Sequence, residues 1–374
     1  MPAVAAAAER RPGPVTVTIT NWNGAAFLDD CLDAVAGLRG DVAEVIVVDN
    51  ASSDDSQARV MRRGGGVRLV AMARNEGPCP ARNRGLAEAR TRWVLQLDSD
   101  VIVQPDTLER LWPETAGERV VAIQPRAVLA SDPRVVHYDG GAMHYVGMLV
   151  LDRFLQVLPE GDNLPAGDVD AVISMALLLD RDVVLGIGGY DPAFFILFED
   201  HDLSYRLRAR GWRLRRVTQA VVAHREGTVG LSFRPGAPVY PGRRAFLHAR
   251  NRAYLVAKNY SWPALLATLP GRCAYAAAYM LFALTRGVFG SWLRGELDVL
   301  RLAPRALRLR RQTARERQVS DRELLGSGDL SVAPHIARSA LERRAERVFN
   351  GLLRGWWVLA RRLIPAGRSG HGAR

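Results

Sequence analysis

"WVLQLDSDV", Trp93 to Val101, is the stretch from which the fold is read. A short, nearly continuous apolar run bounded by polar residues is the pattern of a strand covered on both faces, as in parallel sheets. The run stops on Asp98 and Asp100. At strand spacing, residues i and i+2 share a face. Two carboxylates so placed repel and raise each other's pKa unless a cation sits between them. One reading is a solvated turn after a strand. The other is a hard-cation site whose carboxylate oxygens hold Mg2+ or Mn2+ against a phosphorylated substrate.

The segments around this stretch favour the site. "VTVTIT", Val15 to Thr20, alternates and is rich in β-branched residues, so it reads as a strand. Ala25 to Leu38 has helical apolar spacing, and "EVIVVDN" is a buried strand ending in Asp49. Ser53 to Met61 reads as a helix, Arg68 to Ala71 as a short strand, and Pro78 to Ala89 as a helix opened by proline. Strands and helices in this cadence predict an α/β sandwich with right-handed crossovers. Asp49 and Asp98 then lie at the C-terminal ends of parallel strands, where open α/β sheets bind ligands. No GxGxxG follows the first strand, "RGGGVR" at Arg63 to Arg68 reads as a loop, and no GxxxxGK[ST] occurs, which excludes the usual dinucleotide and ATPase readings.

Further along, "DVDAVISMALLLDRDVV" supplies another buried element. Gly186, Gly188 and Gly189 then permit a tight turn or a close backbone approach. In "PAFFILFEDHDLSYRLRARGW", Glu199 and Asp200 open a helix whose Leu203 and Leu207 are i,i+4 neighbours. The helix dipole alone would favour acids there. The strand-like "WRLRRV", Trp212 to Val217, leads to "AVVAHREGTVG" and an isolated His224.

Composition sets bounds on class and compartment. The chain has 374 residues, 48% apolar and 24% charged, enough for one main domain with additions. Cys31, Cys79 and Cys273 show no metal-ligand spacing, and so few cysteines fit a reducing compartment. Residues 1–13 read as a disordered leader, not a signal peptide. From Ser291 onward there are 18 Arg against 8 acids, a balance of +10 within the net +12. Such a tail suits an anionic membrane surface; no zinc-finger spacing or aromatic RNA-binding motif supports nucleic acid.

In order, these blocks resemble family 2 glycosyltransferases of GT-A fold, a Rossmann-like mixed sheet flanked by helices, and more narrowly the bacterial rhamnosyltransferase-like branch. The resemblance spans about Val15 to Leu255. It rests on "TNWNG", "VVDNASSDDS", "NEGPCPARNRG", "DSD", "GGYDPAFFILFEDHDLSYRLRARGW" and "AHREG". It implies that Asp49 hydrogen-bonds the uracil or thymine ring, with Asn50, Asp54 and Asn75 on the donor side. Asp98 would lie near the ribose and diphosphate, also in the metal environment. Asp100 would contact Mg2+ or Mn2+ most directly, with His224 completing that environment. Asp200 would be the catalytic base, and Glu199 would orient the acceptor. Gly188, Gly189 and Arg82 would line the acceptor and sugar pocket. Ser174 stands where the family often has glycine, and Arg82 where a small or amide residue is common.

The resemblance implies inverting, metal-dependent transfer from a dTDP- or UDP-sugar to a hydroxyl of a glycan or lipid-linked acceptor, in cell-surface polysaccharide or glycolipid synthesis. dTDP-rhamnose, UDP-linked hexoses and UDP-galactofuranose are the candidate donors. A non-catalytic nucleotide-sugar-binding protein would have no need of Asp100 and Asp200 together. A sugar-phosphate nucleotidylyltransferase would carry a Gly-rich, Arg/Lys-containing loop where this chain has "NWNGAAF".

The expected division is a catalytic domain over 14–258 and a helical, basic extension over 259–374. Between Asn259 and Thr285 the only charge is Arg272, and Pro270 to Arg272 divide the stretch into pieces too short to span a membrane alone. These pieces suit core or homodimer packing, or an interfacial or re-entrant membrane contact, with a true span the least favoured reading. "RLAPRALRLRRQTARER" and "GLLRGWWVLARRLIP" combine leucines with arginines as surface-lying helices do. The expected location is cytoplasmic, peripheral at the inner face of the cytoplasmic membrane.

Overall fold

Val15, Val17 and Ile19 are inaccessible to solvent, and Thr16 and Thr18 between them are buried as well. A strand buried on both faces must be central, and β1 (Val15–Asn21) is. The computed structural model describes residues 13–159, 161–162, 164–225, 239–330 and 339–367. The expected leader lies outside them apart from Gly13, as does the closing motif beyond Arg225.

After β1 come α1 (Ala25–Ala36), β2 (Val42–Asp49), α2 (Ser56–Arg63), β3 (Val67–Ala71), α3 (Pro78–Glu88) and β4 (Trp93–Asp98). β2 and β4 flank β1 in parallel, with Asn21 opposite Asp49 and Thr20 opposite Asp98. That register brings both aspartates to one end of the sheet.

β5 (Val101–Val103) and α4 (Thr107–Leu111) lead to β6 (Val120–Leu129) and β7 (Asp132–Tyr138). β8 (Gly141–His144) and β9 (Met148–Leu151) form a separate two-stranded sheet. β10 (Gly167–Val169), β11 (Ala176–Asp180), α5 (Arg181–Gly186), α6 (Glu199–Ala209) and β12 (Arg213–His224) follow. The main sheet runs β10-β12-β6-β11-β4-β1-β2-β3, with β5 on β12 and β7 on β6. β11 is antiparallel to β4, so the sheet is mixed. β12 is longer than "WRLRRV" suggests, because a register shift between Val217 and Val221 carries it past the polar Thr218 and Gln219.

The chain forms two compact units. The first comprises Met1–Gly140, Leu151–Leu203 and Trp212–Glu226 and holds the main sheet. The second comprises Gly141–Val150, Ser204–Gly211 and Gly227–Arg374, so the last long division falls near residue 227 rather than after 258. The reason lies in α7 (Gly242–Asn259), which packs along α10 (Phe289–Glu316). A Cβ on Gly295 would sit 2.4 Å from the Phe246 carbonyl, so only glycine allows that approach. α8 (Trp262–Ala267) and α9 (Leu269–Thr285) meet at Thr268; Pro270 stands in the first turn of α9, where its missing N–H is harmless. α11 (Asp321–Leu324) and α12 (Ala340–Leu363) complete this unit. Tyr145 stacks on Trp357 at 5.2 Å and donates to the Leu353 carbonyl, tying α12 into it. No helix among the described residues is long and apolar enough to cross a membrane.

Candidate active site

The residues expected on the donor side gather near the ends of β1, β2 and β4. Asp49 is fully buried. Its Oδ2 accepts from Asn21 (2.9 Å) and the Ser52 hydroxyl (2.6 Å), its Oδ1 from the Ser52 amide (2.9 Å) and Gln57 (2.7 Å). Four bonds fill a carboxylate's accepting capacity. A further N–H donor would reach Asp49 only by displacing one of these four. Asn50 donates to Asn75 (2.9 Å) and to the Gly77 carbonyl (3.0 Å), joining the end of β2 to the loop before α3. Asp54 accepts from the Ala25 amide at 3.0 Å, at the start of α1.

Asp100 and His224 meet because β12 pairs antiparallel with β5, His224 opposite Val101. His224 Nε2 lies 3.2 Å from Asp100 Oδ2. Burial works to raise the Asp100 pKa, but hydrogen bonding and charge from His224 prevail and hold it below the usual carboxylate value. His224 Nδ1 lies 3.2 Å from His137 Nδ1, and the rings stack at 4.8 Å. The roles of the two Nδ1 atoms follow the protonation of His224: its cation donates from both ring nitrogens, and its Nε2–H tautomer accepts from His137. Burial, then the neighbouring His224, pushes His137 down to about 4, so this ring is neutral at pH 7.

Asp98 turns another way. Arg82 NH2 lies 3.0 Å from both its oxygens, and Arg82 NH1 lies 3.1 Å from Glu199 Oε1. Arg82 is buried, so its charge acts with little screening. Desolvation nevertheless raises the Asp98 pKa. Arg82 was expected to line the sugar pocket; its observed contacts make it the bridge between the DSD and ED carboxylates.

Glu199 is 4% exposed, and its Oε2 is buried with no hydrogen-bond partner among the described residues. Desolvation, then the adjacent Asp200, pushes Glu199 up to about 7 against the pull of Arg82. Asp200 is also raised by desolvation, but it is only partly buried and accepts from the Ser174 amide at 2.9 Å. Of the pair, Asp200 has the more accessible carboxylate. Ser174 meets it through a backbone N–H, which glycine would also supply. Phe195, Leu197 and Phe198, just before the pair, all have φ between 62° and 72°, a left-handed conformation unusual for bulky residues and characteristic of functional sites.

Gly188 and Gly189 both have positive φ. Gly189 has a second requirement: a Cβ there would lie 2.3 Å from Asn83 Oδ1. Asn83 accepts from the Tyr190 amide (2.7 Å) and donates to the Tyr190 carbonyl (2.8 Å), fixing this turn against α3. Sequence reasoning missed Asn83, although it lies inside "NEGPCPARNRG" one residue after Arg82. It also missed His137, which sits in the irregular stretch after the first strands and bears no motif.

No group of three His, Cys, Asp or Glu side chains among the described residues is arranged to hold a metal ion. Asp98, expected beside the ion, is engaged by Arg82. Asp100 and His224, the other residues expected beside the ion, are paired with each other at 3.2 Å.

A mixed α/β sheet with carboxylates gathered at the ends of its parallel strands is the architecture of GT-A glycosyltransferases. Residues 16–149 match the family described as glycosyl transferase family 2. A comparison with curated proteins finds no match. Among solved structures, GalNAc-T7 with UDP, GalNAc and Mn2+ is similar at a TM-score of 0.56 and 17% identity, over 79% of this chain and 59% of that one. This chain thus spans under two thirds of that protein's length. A mannosyltransferase from Pyrobaculum calidifontis, in complex with GDP-Man and Mn2+, gives 0.49 and 17% over 95% of this chain and 86% of that one. S. aureus TarS 1-349 gives 0.45 and 12%, over 77% and 92%.

Proposed function

We propose that this protein transfers a sugar from a nucleotide-diphosphate donor to an acceptor hydroxyl by one inverting displacement. The observation that carries the reading is the Arg82 bridge. It holds Asp98, next to the Asp100–His224 pair, and Glu199, next to Asp200, on one guanidinium. A diphosphate-binding side and a proton-accepting side are thereby one side chain apart.

Asp49, Asn50, Asp54 and Asn75 would seat the pyrimidine nucleotide. Asp100 and His224 would hold Mg2+ or Mn2+, with Asp98 close by. A divalent ion there would neutralise charge gathering on the departing diphosphate. Asp200 takes the proton from the acceptor hydroxyl as that oxygen bonds the anomeric carbon and the carbon–diphosphate oxygen bond breaks. Glu199 orients the acceptor side, and no covalent nucleophile is required. The UDP and Mn2+ bound to GalNAc-T7, which shares the fold, are ligands of the classes this site suits.

Candidate donors are dTDP-rhamnose, UDP-hexoses and UDP-galactofuranose, since Asp49 would not distinguish thymine's methyl from uracil's hydrogen. The acceptor is proposed to be a glycan or a lipid-linked species, met at the inner face of the cytoplasmic membrane. Support for that location comes from the second unit, where Leu352, Val358, Leu359 and Leu363 of α12 are exposed beside Arg354, Arg361 and Arg362. Each basic side chain near an anionic leaflet adds about 1 kcal/mol. A panel of nucleotide sugars with a lipid-linked acceptor, assayed by nucleoside diphosphate release, tests the reading. Monophosphate release would contradict it.

A further inference from the structure

The second unit contains an open cavity of about 460 Å³ between α7, α8, α9 and α10. That volume lies in the range of small-molecule sites, about 300–1,000 Å³. Three guanidiniums line it, Arg252, Arg272 and Arg310, against one carboxylate, Glu296. Arg252 lies 3.9 Å from Glu296 and donates to the Val146 carbonyl. Arg272 donates to the Thr268 hydroxyl (3.1 Å) and the Leu265 carbonyl (2.8 Å). Arg310 donates to the Tyr260 carbonyl and lies 4.3 Å from the Trp262 ring centre. Neither Arg272 nor Arg310 forms an ion pair with a carboxylate among the described residues. Guanidinium stays charged at any working pH, so the cavity has an excess of two positive charges over its one carboxylate.

The remaining lining has the opposite character. Trp262, Leu269 and Leu307 line the same cavity and are 62%, 47% and 46% exposed. A small inorganic anion would satisfy the arginines and leave these side chains in water. An uncharged chain would cover them and leave the guanidiniums without a counter-charge. We propose that this cavity binds a phosphorylated lipid, its phosphate between Arg272 and Arg310 and its chain along Trp262, Leu269 and Leu307. Paired arginine donors suit phosphate oxygens in number and geometry. All lining residues belong to the second unit, so the proposal stands independently of the transferase reading.

Calorimetric titration of the full chain tests it with three soluble probes: farnesyl phosphate, farnesol and inorganic phosphate. Farnesyl phosphate should bind saturably at one site, with farnesol and inorganic phosphate each at least tenfold weaker. Arg272→Gln and Leu307→Asp should each weaken farnesyl phosphate at least tenfold while donor-nucleotide affinity stays unchanged. Leu307 is half-exposed, so that variant tests the proposal even if Arg272→Gln unfolds. Dioctanoyl phosphatidylglycerol below its micellar concentration separates two sources of the ligand. Tighter binding than farnesyl phosphate assigns the cavity to bilayer phospholipid, weaker binding to a prenyl-type lipid phosphate, and either result supports a phosphorylated lipid. Equal affinity for farnesol and farnesyl phosphate would overturn the proposal, as would equal affinity for inorganic phosphate or unchanged binding in a folded variant.

Discussion

Replacing Glu199 with glutamine should change how stability depends on pH, and the structure gives the sign and size. Burial and the adjacent Asp200 lift the Glu199 pKa from 4.5 to about 7. The folded protein therefore keeps this proton at pH values where the unfolded chain has lost it. Stability conferred by the protonated form is fully present below pH 4.5, falls as pH rises to about 7, and is level above. At about 1.4 kcal/mol per pH unit over that interval, the loss is on the order of 3 kcal/mol. Glutamine has no proton to lose, so the stability of E199Q relative to wild type should improve by roughly that amount between pH 5 and pH 8. Asp200 titrates together with Glu199, so its share of the pH dependence is part of the measured difference. Urea unfolding followed by tryptophan fluorescence at half-unit pH steps measures it. A difference flat with pH, or one that worsens for E199Q as pH rises, would refute a buried, proton-retaining Glu199.

Arg82→Met should destabilise the protein by about 3–5 kcal/mol, because it leaves Asp98 and Glu199 without their shared cation; chemical denaturation at pH 7.5 reads this directly. Gly189→Ala, which combines a left-handed backbone with a Cβ 2.3 Å from Asn83, should destabilise by about 1–3 kcal/mol in the same assay. Asp100→Ala should weaken Mn2+ binding at least tenfold, measured by the loss of free-ion paramagnetic signal, with the melting temperature within a few degrees of wild type.

The central strands were legible because their chemistry is local. "VTVTIT", "EVIVVDN" and "WVLQLD" are strands in the structure, since sustained apolar runs have few other places to go. The convergence of Asp49 and Asp98 followed from their positions at strand ends. Helix ends were read less closely: α2 begins at Ser56 and not Ser53, after Asp54 and Ser56 form their own turn. Pro270 read as a break but opens α9, because a proline in the first turn and one in mid-helix look alike without the neighbouring cap. The Arg82 bridge was not legible at all. Its partners lie 16 and 117 residues away, and no periodicity reports a pairing that the tertiary fold alone creates. His137 was hidden for the same reason: its meeting with His224, 87 residues on, depends on how β7 and β12 lie on β6.

The most direct test of the account separates donor binding from turnover at Asp200. With the nucleotide sugar chosen from the panel, calorimetry on Asp200→Asn should give donor affinity within a few-fold of wild type. Nucleoside diphosphate release in the presence of acceptor should fall by roughly 100-fold or more, the loss expected when a general base is removed. A folded Asp200→Asn protein that turns over at the wild-type rate, while Glu199→Gln does not, would move the base to Glu199. Wild-type rates in both variants would contradict carboxylate-assisted transfer at this site.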